Sequence, residues 1–304
     1  MRRAGIALVL FAAAIAAALP VMGCGRSTHR IRIGSKNFSE QVLLGEIVAQ
    51  ALEARGVAVD RKLNLGGTFV CHQALLAGEL DLYPEYTGTA HTAILREKPN
   101  RDPAAVLRRV TDEYRRRWGA VWAPPLGFEN TFALVVREDD ARRLSLSRIS
   151  DLTNHPDLRP GFGYEFVERA DGYRGLAEAY GLSFTNRPAE MDLGLLYPAL
   201  EAGRVDVVAG NSTDGLISAI HGVVLEDDRR YFPPYEAAFV VRGAVWKSRP
   251  EVVSVLQSLA GRLDAPRMRA WNAELDRDKK RPEDVAREVL KSLGLTGAKA
   301  AGTP

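Results

Sequence analysis

Ala74-Leu75-Leu76-Ala77-Gly78-Glu79-Leu80-Asp81-Leu82, running on to Tyr86, returns 125 positions later as Ala199-Leu200-Glu201-Ala202-Gly203-Arg204-Val205-Asp206-Val207, running on to Asn211. Each copy reads as the last turn of a helix, a Gly able to take up positive φ and end it, and a short apolar strand. Tyr86 and Asn211 then sit at the same offset beyond the Gly. In open α/β sheets ligands bind outside the carboxyl ends of the strands. Two such units predict two similar lobes whose strand ends face each other across a cleft, a clamp for a small molecule.

The flanking sequence extends the alternation of strand and helix. Ile31-Arg32-Ile33-Gly34 is an expected strand, followed by a helix capped by Ser39 and ended by Gly56. Val57 to Leu63 is the next strand, and Gly66-Gly67-Thr68 turns into the helix that leads to Gly78. A helix over 102–118 opens at Asp102-Pro103 and closes on Arg115-Arg116-Arg117, whose charges suit a solvated helix C-terminus. Phe132-Ala133-Leu134-Val135-Val136-Arg137 has a near copy in Ala238-Phe239-Val240-Val241-Arg242. These read as the two strands where the chain crosses between lobes. Lobe 1 then comprises 31–130 and 235–296, lobe 2 comprises 131–234, and 297–304 is a disordered tail. Helices are expected near Pro250, Pro266 and Pro282, each Pro in a first turn.

Residues 1–23 read as an export signal. Arg2 and Arg3 precede the unbroken apolar run Ala4–Leu19, which is too short and wrongly flanked for a stable membrane span. Val21-Met22-Gly23-Cys24 resembles a bacterial lipobox, in which Cys24 is lipidated and becomes the mature N-terminus; cleavage with release is the alternative. The expected location is the periplasm or the outer face of the cytoplasmic membrane. Removal of 1–23 takes away two of 41 Lys+Arg and none of 38 Asp+Glu, leaving a net charge of +1 (39 against 38). So even a balance argues against nucleic acid, which needs a concentrated basic face. About 280 remaining residues (304 less 23) suit two lobes better than one domain.

Besides Cys24 the only thiol is Cys71. It lies in an apolar helical stretch and reads as a small buried hydrophobe. Cys71-His72 is no metal pair, because adjacent helical residues point about 100° apart and zinc needs three or four convergent ligands. His29, His91, His155 and His221 are scattered without ligand spacing. No metal, cofactor or catalytic set is expected.

Gly34-Ser35-Lys36-Asn37-Phe38-Ser39-Glu40, Leu65-Gly66-Gly67-Thr68, Asp81-Leu82-Tyr83-Pro84-Glu85-Tyr86-Thr87-Gly88-Thr89 and Phe232-Pro233-Pro234-Tyr235 together resemble the glycine betaine/carnitine/choline-binding proteins of ABC importers. The resemblance covers essentially all of 31–293. It implies a two-lobed periplasmic-binding-protein fold of type II, with permease and ATPase partners, working as a monomer. A quaternary ammonium has no N–H to donate, so it is recognised by aromatic faces, each worth roughly 0.5–2 kcal/mol, while a carboxylate wants Lys, Arg and hydroxyl donors. By resemblance, Tyr86, Phe132, Asn211 and Tyr235 hold the positions of the cage, and Lys36, Thr89 and Arg169 hold the carboxylate. Arg169 lies in Phe166-Val167-Glu168-Arg169-Ala170-Asp171-Gly172, which matches the second-lobe motif. Family members that bind betaine tightly usually carry Tyr at the positions of Phe132 and Asn211. Phe132 keeps a π face; Asn211 replaces an aromatic wall with an amide and favours polar groups near the ligand's cationic end. Asn211-Ser212-Thr213-Asp214 is also a good capping sequence, so Asn211 could instead open a helix.

Three classes of function compete. A transport binding protein for a small zwitterion or quaternary ammonium fits the signal, the anchor and the two lobes. The same fold could bind another polar zwitterion, ergothioneine or an amino-acid-like molecule. A periplasmic enzyme of the dehydratase kind needs an acid/base pair in the cleft, for which Glu85 and Asp214 are the nearby candidates, although Pro and Gly beside them give turn explanations. A ligand-sensing domain would be fused to a transmembrane or kinase segment.

Overall fold

The structure, a computed structural model, describes residues 30–296. The expected export signal, Cys24 and the tail 297–304 lie outside the described residues. Ten strands, β1 (Ile31–Lys36), β2 (Val59–Gly66), β3 (Leu82–Tyr86), β4 (Val121–Trp122), β5 (Phe132–Arg137), β6 (Pro160–Gly163), β7 (Ala189–Met191), β8 (Val207–Asn211), β9 (Gly222–Val224) and β10 (Ala237–Val241), form two five-stranded sheets. Their orders are β2-β1-β3-β10-β4 and β7-β6-β8-β5-β9. The orders are equivalent position by position. In each, the third strand pairs parallel with the second and antiparallel with the fourth.

The repeat in the sequence is the third strand of each sheet with the helix turn before it. Gly78 and Gly203 take φ of 75° and 65°, the left-handed conformation that stops the helices Thr68–Leu76 and Leu193–Glu201. Asp81 and Asp206 follow at the same offset and tie down the strand starts. Asp81 accepts the Arg32 backbone N–H at 2.9 Å and both the Arg32 and Arg242 guanidinium groups. Asp206 accepts the Arg159 N–H at 3.0 Å and the Arg159 and Arg137 guanidinium groups. Arg137 and Arg242, the ends of the two copied strands, therefore do the same job in the two lobes. This leaves the opposite, carboxyl ends of β3 and β8, Tyr86 and Asn211, free to face the cleft.

Period-two burial makes each sheet the middle of three layers. On β10, Ala237, Phe239 and Val241 pack on one face and Ala238 and Val240 on the other; on β5, Leu134 and Val136 oppose Ala133 and Val135. The helices Ser39–Glu53 and Pro282–Ser292 cover one face of the first sheet, while the other face packs on Cys71, Leu75, Val110 and Tyr114. Burial pushes the Cys71 thiol up to about 12, so it is an inert hydrophobe.

Strands β5 and β10 each belong to one sheet. The chain crosses just before them, where Glu129 and Glu236 pair antiparallel. Two local expectations are corrected. The hydroxyl of Ser39 does not cap its helix: Phe38 holds the cap position, and Ser39, one residue in, donates to Asp276 instead. The second strand runs Val59–Gly66, because its pairing with β1 begins at Ile31–Val59 and continues past Leu63 to Lys36–Gly66. Arg115, Arg116 and Arg117 are exposed in the last turn of their helix, as expected, and Arg116 and Arg117 also pair with Glu113, at 2.6 and 2.5 Å. The helices at Pro103, Pro250, Ala265 and Pro282 form with Pro in the first turn, and Asp102 accepts the Ala105 N–H. Among the described residues no helix is long and apolar enough to cross a membrane.

Candidate functional site

A cavity of about 60 Å³ lies between the sheets at the carboxyl ends of β1, β3 and β8. Lys36, Tyr86, Thr89, Phe132, Arg169, Asn211 and Tyr235 all line it. Lys36, Tyr86 and Asn211 are the last residues of β1, β3 and β8, and Phe132 is the first of β5. Antiparallel pairing puts Phe132 opposite Asn211 and Ala237 opposite Tyr86, which brings the chain segment carrying Tyr235 to the same rim. Thr89 ends the turn Thr87–Thr89, which continues as a π-helical turn, Ala90–Ile94. Gly88 lets this turn approach Tyr235: a Cβ there would stand 2.7 Å from the ring.

The walls are aromatic. The Phe132 ring meets Phe166 edge-on at 4.8 Å and Tyr235 at 5.8 Å, while Phe38 stacks on Tyr86 at 6.4 Å. Such contacts hold the rings in place in the cavity wall. Two buried cations complete the lining, and each has a buried carboxylate. Lys36 Nζ donates to Glu85 and lies 5.2 Å from the centre of the Tyr86 ring. Arg169 makes a two-pronged pair with Asp171, at 2.9 and 2.6 Å, donates to Thr89 Oγ1 at 3.2 Å, and lies 4.9 Å over the Phe132 ring. Asp171 also accepts from the Tyr235 hydroxyl at 2.6 Å and the Thr92 hydroxyl at 2.7 Å. Burial would raise the Asp171 carboxyl; the Arg169 charge and these hydroxyls outweigh it and hold it below the ordinary range.

Several residues at the cavity were missed by the sequence reasoning. Phe38, Thr68 and Phe166 stood within the quoted motifs, but nothing in the sequence distinguished them from core positions. Glu165 and Asn130 gave no signal. Glu165, from lobe 2, accepts the Thr68 backbone N–H at 2.5 Å and its hydroxyl at 3.0 Å, and so caps a helix of lobe 1 across the cleft. Gly67 makes room: a Cβ there would stand 2.0 Å from Glu165 Oε1. Glu40, fully buried, accepts from Tyr86 Oη (2.6 Å), Asn130 Nδ2 (2.9 Å), Thr213 Oγ1 (2.5 Å) and Asn272 Nδ2 (3.0 Å). It joins a cavity tyrosine to lobe 2. Burial raises its carboxyl despite these four donors.

Asn211 does not open a helix. It ends β8, the next helix begins at Leu216, and the Asn211 N–H is held by Asp214 at 2.7 Å. Of the carboxylates weighed as catalytic, Glu85 is held by Lys36 and the Tyr86 N–H, and Asp214 accepts from Tyr197 and Asn211. Neither is aimed at the cavity as half of an acid/base pair. Among the described residues no group of three His, Cys, Asp or Glu is placed to hold a metal ion.

Known proteins share this architecture. Residues 29–292 match the family described as the substrate binding domain of ABC-type glycine betaine transport systems. The chain is 36% identical to a glycine-betaine-binding protein of Pseudomonas aeruginosa, with 90% of each chain covered. It is 34% identical to the carnitine transport binding protein OpuCC of Listeria monocytogenes, covering 90% of this chain and 89% of the relative. A crystal structure of a glycine betaine/carnitine/choline ABC transporter protein superposes with a TM-score of 0.71 at 31% identity, over 88% of this chain and 99% of that one. With its two matched sheets and the cleft between them, the chain belongs to this family of ABC-importer substrate-binding proteins.

Proposed function

We propose that this chain captures a small quaternary-ammonium solute, of the glycine betaine, choline or carnitine type, outside the cytoplasm and delivers it to a permease driven by an ATPase, without chemistry on the ligand. The lobes are 31–130 with 235–296, and 131–234. The observation that carries the reading is one cavity lined by five aromatic rings, Phe38, Tyr86, Phe132, Phe166 and Tyr235, together with Lys36 and Arg169. The rings attract a cation that has no N–H, and Lys36, Thr89 and Arg169 supply donors for a carboxylate. We assign the tether to Cys24, whose replacement by Ser should leave the protein unprocessed or released from membranes.

Lys36 and Arg169 are each matched by a buried carboxylate, and Glu165 adds another negative charge to the wall. This favours a second reading, in which the cationic end dominates recognition and choline competes well with the zwitterions. Calorimetric titration of the processed protein with glycine betaine, carnitine, choline and ergothioneine decides between them. A ligand at 100 times its Kd stabilises by about 2.7 kcal/mol, a readily measured melting shift. Binding of ergothioneine or polar amino acids but of no simple quaternary amine would replace the first reading with the other-zwitterion one. Turnover of any bound ligand would restore the enzyme.

A further inference from the structure

Two tyrosines line the cavity, and each gives its hydroxyl to a buried carboxylate: Tyr86 to Glu40 and Tyr235 to Asp171, both at 2.6 Å. The two carboxylates differ in what else they hold. Asp171 is paired in two prongs with Arg169, so its charge is matched, as that of Glu85 is by Lys36. Glu40 is 2% exposed, and its four partners, Tyr86, Asn130, Thr213 and Asn272, are all neutral donors. Among the described residues no Lys, Arg or His pairs with it. Glu165 also brings a carboxylate to the cavity, but it is half-buried and reaches Thr68 rather than a ring.

The partners of Glu40 suit a carboxylate rather than a carboxylic acid. Tyr86 and Asn130 share Oε1, while Thr213 and Asn272 share Oε2. An amide N–H can only donate, and second bonds fix both amides. Asn130 Oδ1 takes the Thr213 N–H at 3.4 Å, and Asn272 Nδ2 also reaches the Thr213 carbonyl at 2.9 Å. Each oxygen of Glu40 therefore faces a fixed N–H and a hydroxyl, so a proton on either oxygen would meet a donor. A phenol that donates to an anion forms a charge-assisted bond and is polarised by it. Its oxygen becomes more negative and releases electron density into the ring, whose negative face is what attracts a cation. Lys36 Nζ lies 5.2 Å from the centre of the same ring, but Glu85 matches its charge. Glu40 and Tyr86 stand on the first helix and on β3 of one lobe, so their bond does not depend on closure.

We propose that Glu40, which does not itself line the cavity, is a positioning residue for recognition: through its hydrogen bond it polarises the Tyr86 ring and so sets a preference for a cationic ligand over a neutral one of the same shape. This role rests on the proposed capture of a cation by the cavity and adds the group behind the wall that tunes it. Tyr235 carries less of this preference, because the carboxylate behind it is already matched by Arg169.

The test compares choline with its neutral isostere, in which a tert-butyl group replaces trimethylammonium, by calorimetric titration of the processed protein at mildly alkaline pH. Glu40→Gln should lower the affinity for choline about tenfold more than that for the isostere. Looser packing around Tyr86, or closure lost at Thr213, would weaken both ligands alike, so the ratio separates charge from structure. Tyr86→Phe keeps the ring and removes the link; in that background Glu40→Gln should leave the ratio within about twofold. A ratio that Glu40→Gln does not move in the parent, or moves equally in both backgrounds, overturns the inference. Circular dichroism and melting establish that the variants fold. A measurement on the ligand-free parent needs no Glu40 variant: the Cζ carbon resonances of Tyr86 and Tyr231, each assigned by its loss in the Tyr→Phe variant. Tyr86 should lie downfield of Tyr231, whose hydroxyl goes to the neutral Ala170 carbonyl. Tyr86 at or upfield of Tyr231 overturns the inference whatever binds. A downfield Tyr86 with no binding of choline sinks the proposed function and leaves the polarisation of the ring by Glu40 standing.

Discussion

Replacing Glu165 should loosen the clamp while leaving the lobes intact. Its carboxylate reaches from lobe 2 to the first turn of the lobe 1 helix Thr68–Leu76, taking the Thr68 N–H at 2.5 Å and the Thr68 hydroxyl at 3.0 Å. Hydrogen bonds to a charged group contribute about 1.5–3 kcal/mol each, and a negative charge at a helix N-terminus adds a few tenths to one. Glu165 is only half-buried, and water serves both partners when the lobes part. A net contribution to closure of about 1.5–3 kcal/mol for the whole latch follows. Glu165→Ala should therefore weaken ligand binding about ten- to 150-fold, mostly through faster dissociation. Glu165→Gln keeps one acceptor and should cost about half as much free energy. The latch exists only between lobes, so the melting temperature of the ligand-free protein should hardly move. Stopped-flow dissociation and calorimetry against the same ligand read both numbers. A Kd within twofold of the parent for Glu165→Ala would refute the latch. So would a ligand-free melting temperature that falls as far as the liganded one. If the loss is large for choline and small for betaine, Glu165 acts on the ligand's charge rather than on closure.

Further outcomes follow from the charged groups. The Asp214 carboxyl is pushed up to about 6 in the folded chain, chiefly by burial, against 3.8 as a free side chain. Its native state thus binds the proton more tightly, and its ionised form destabilises by about 3 kcal/mol above pH 6, a penalty relieved as pH falls toward 4. Denaturant melts should show Asp214→Asn gaining about that much on the parent between pH 4 and pH 7.5, while the opposing histidine effects cancel in the difference. Arg169→Ala leaves Asp171 buried without its cation and should cost the closed state about 3–5 kcal/mol. Tyr235→Phe removes one hydrogen bond to that same carboxylate and should cost about 1.5–3 kcal/mol, measured by calorimetry. Asn211→Tyr should raise affinity for a simple quaternary ammonium about two- to thirtyfold by adding an aromatic face, and lower affinity for any ligand that uses the amide. Equal change for both ligand types would place residue 211 outside recognition.

The fold was legible because it is written twice. The Gly78/Gly203 and Asp81/Asp206 repeat maps onto equivalent strands, and the near copy at 132–137 and 238–242 maps onto another equivalent pair. The seven residues that line the cavity were singled out only through long motifs shared with a family; Lys36 alone, in an unfamiliar sequence, would pass for a surface charge. The carboxylates that complete the site were not legible. Asp171 and Glu85 lie near the cations in sequence (169 and 171) or far from them (36 and 85), and no spacing rule tells a counterion from a neighbour. Glu165 and Glu40 act across the seam between lobes, and contacts made by rigid-body closure leave no periodicity in the chain. Ser39 misled for a local reason. It is an ideal capping residue one position too late, and a partner 237 residues away took its hydroxyl.

Besides ring contacts such as Phe132–Tyr235, the lobes are joined by a set of polar bonds. Thr68–Glu165, Thr89–Arg169, Thr92–Asp171, Tyr235–Asp171 and Thr213–Glu40 each carry a hydroxyl or backbone N–H to a charged group on the other lobe. When the clamp opens, water can take the place of every one of these partners, so each contributes only the modest difference between two hydrogen-bonded states. Apolar contact of the same extent would hold the lobes shut whether or not a ligand was present. A seam rich in exchangeable bonds brings open and closed forms closer in free energy, and a ligand's own contacts with both lobes then shift which is populated. Glu40 ties this balance to the cavity, since the same carboxylate holds the hydroxyl of Tyr86, which lines it, and that of Thr213, in the opposite lobe. A cation that fixes Tyr86 in place thereby holds Glu40 where Thr213 can reach it. Under the proposed function, the ring that reads the ligand and the bond that closes the clamp share one buried group.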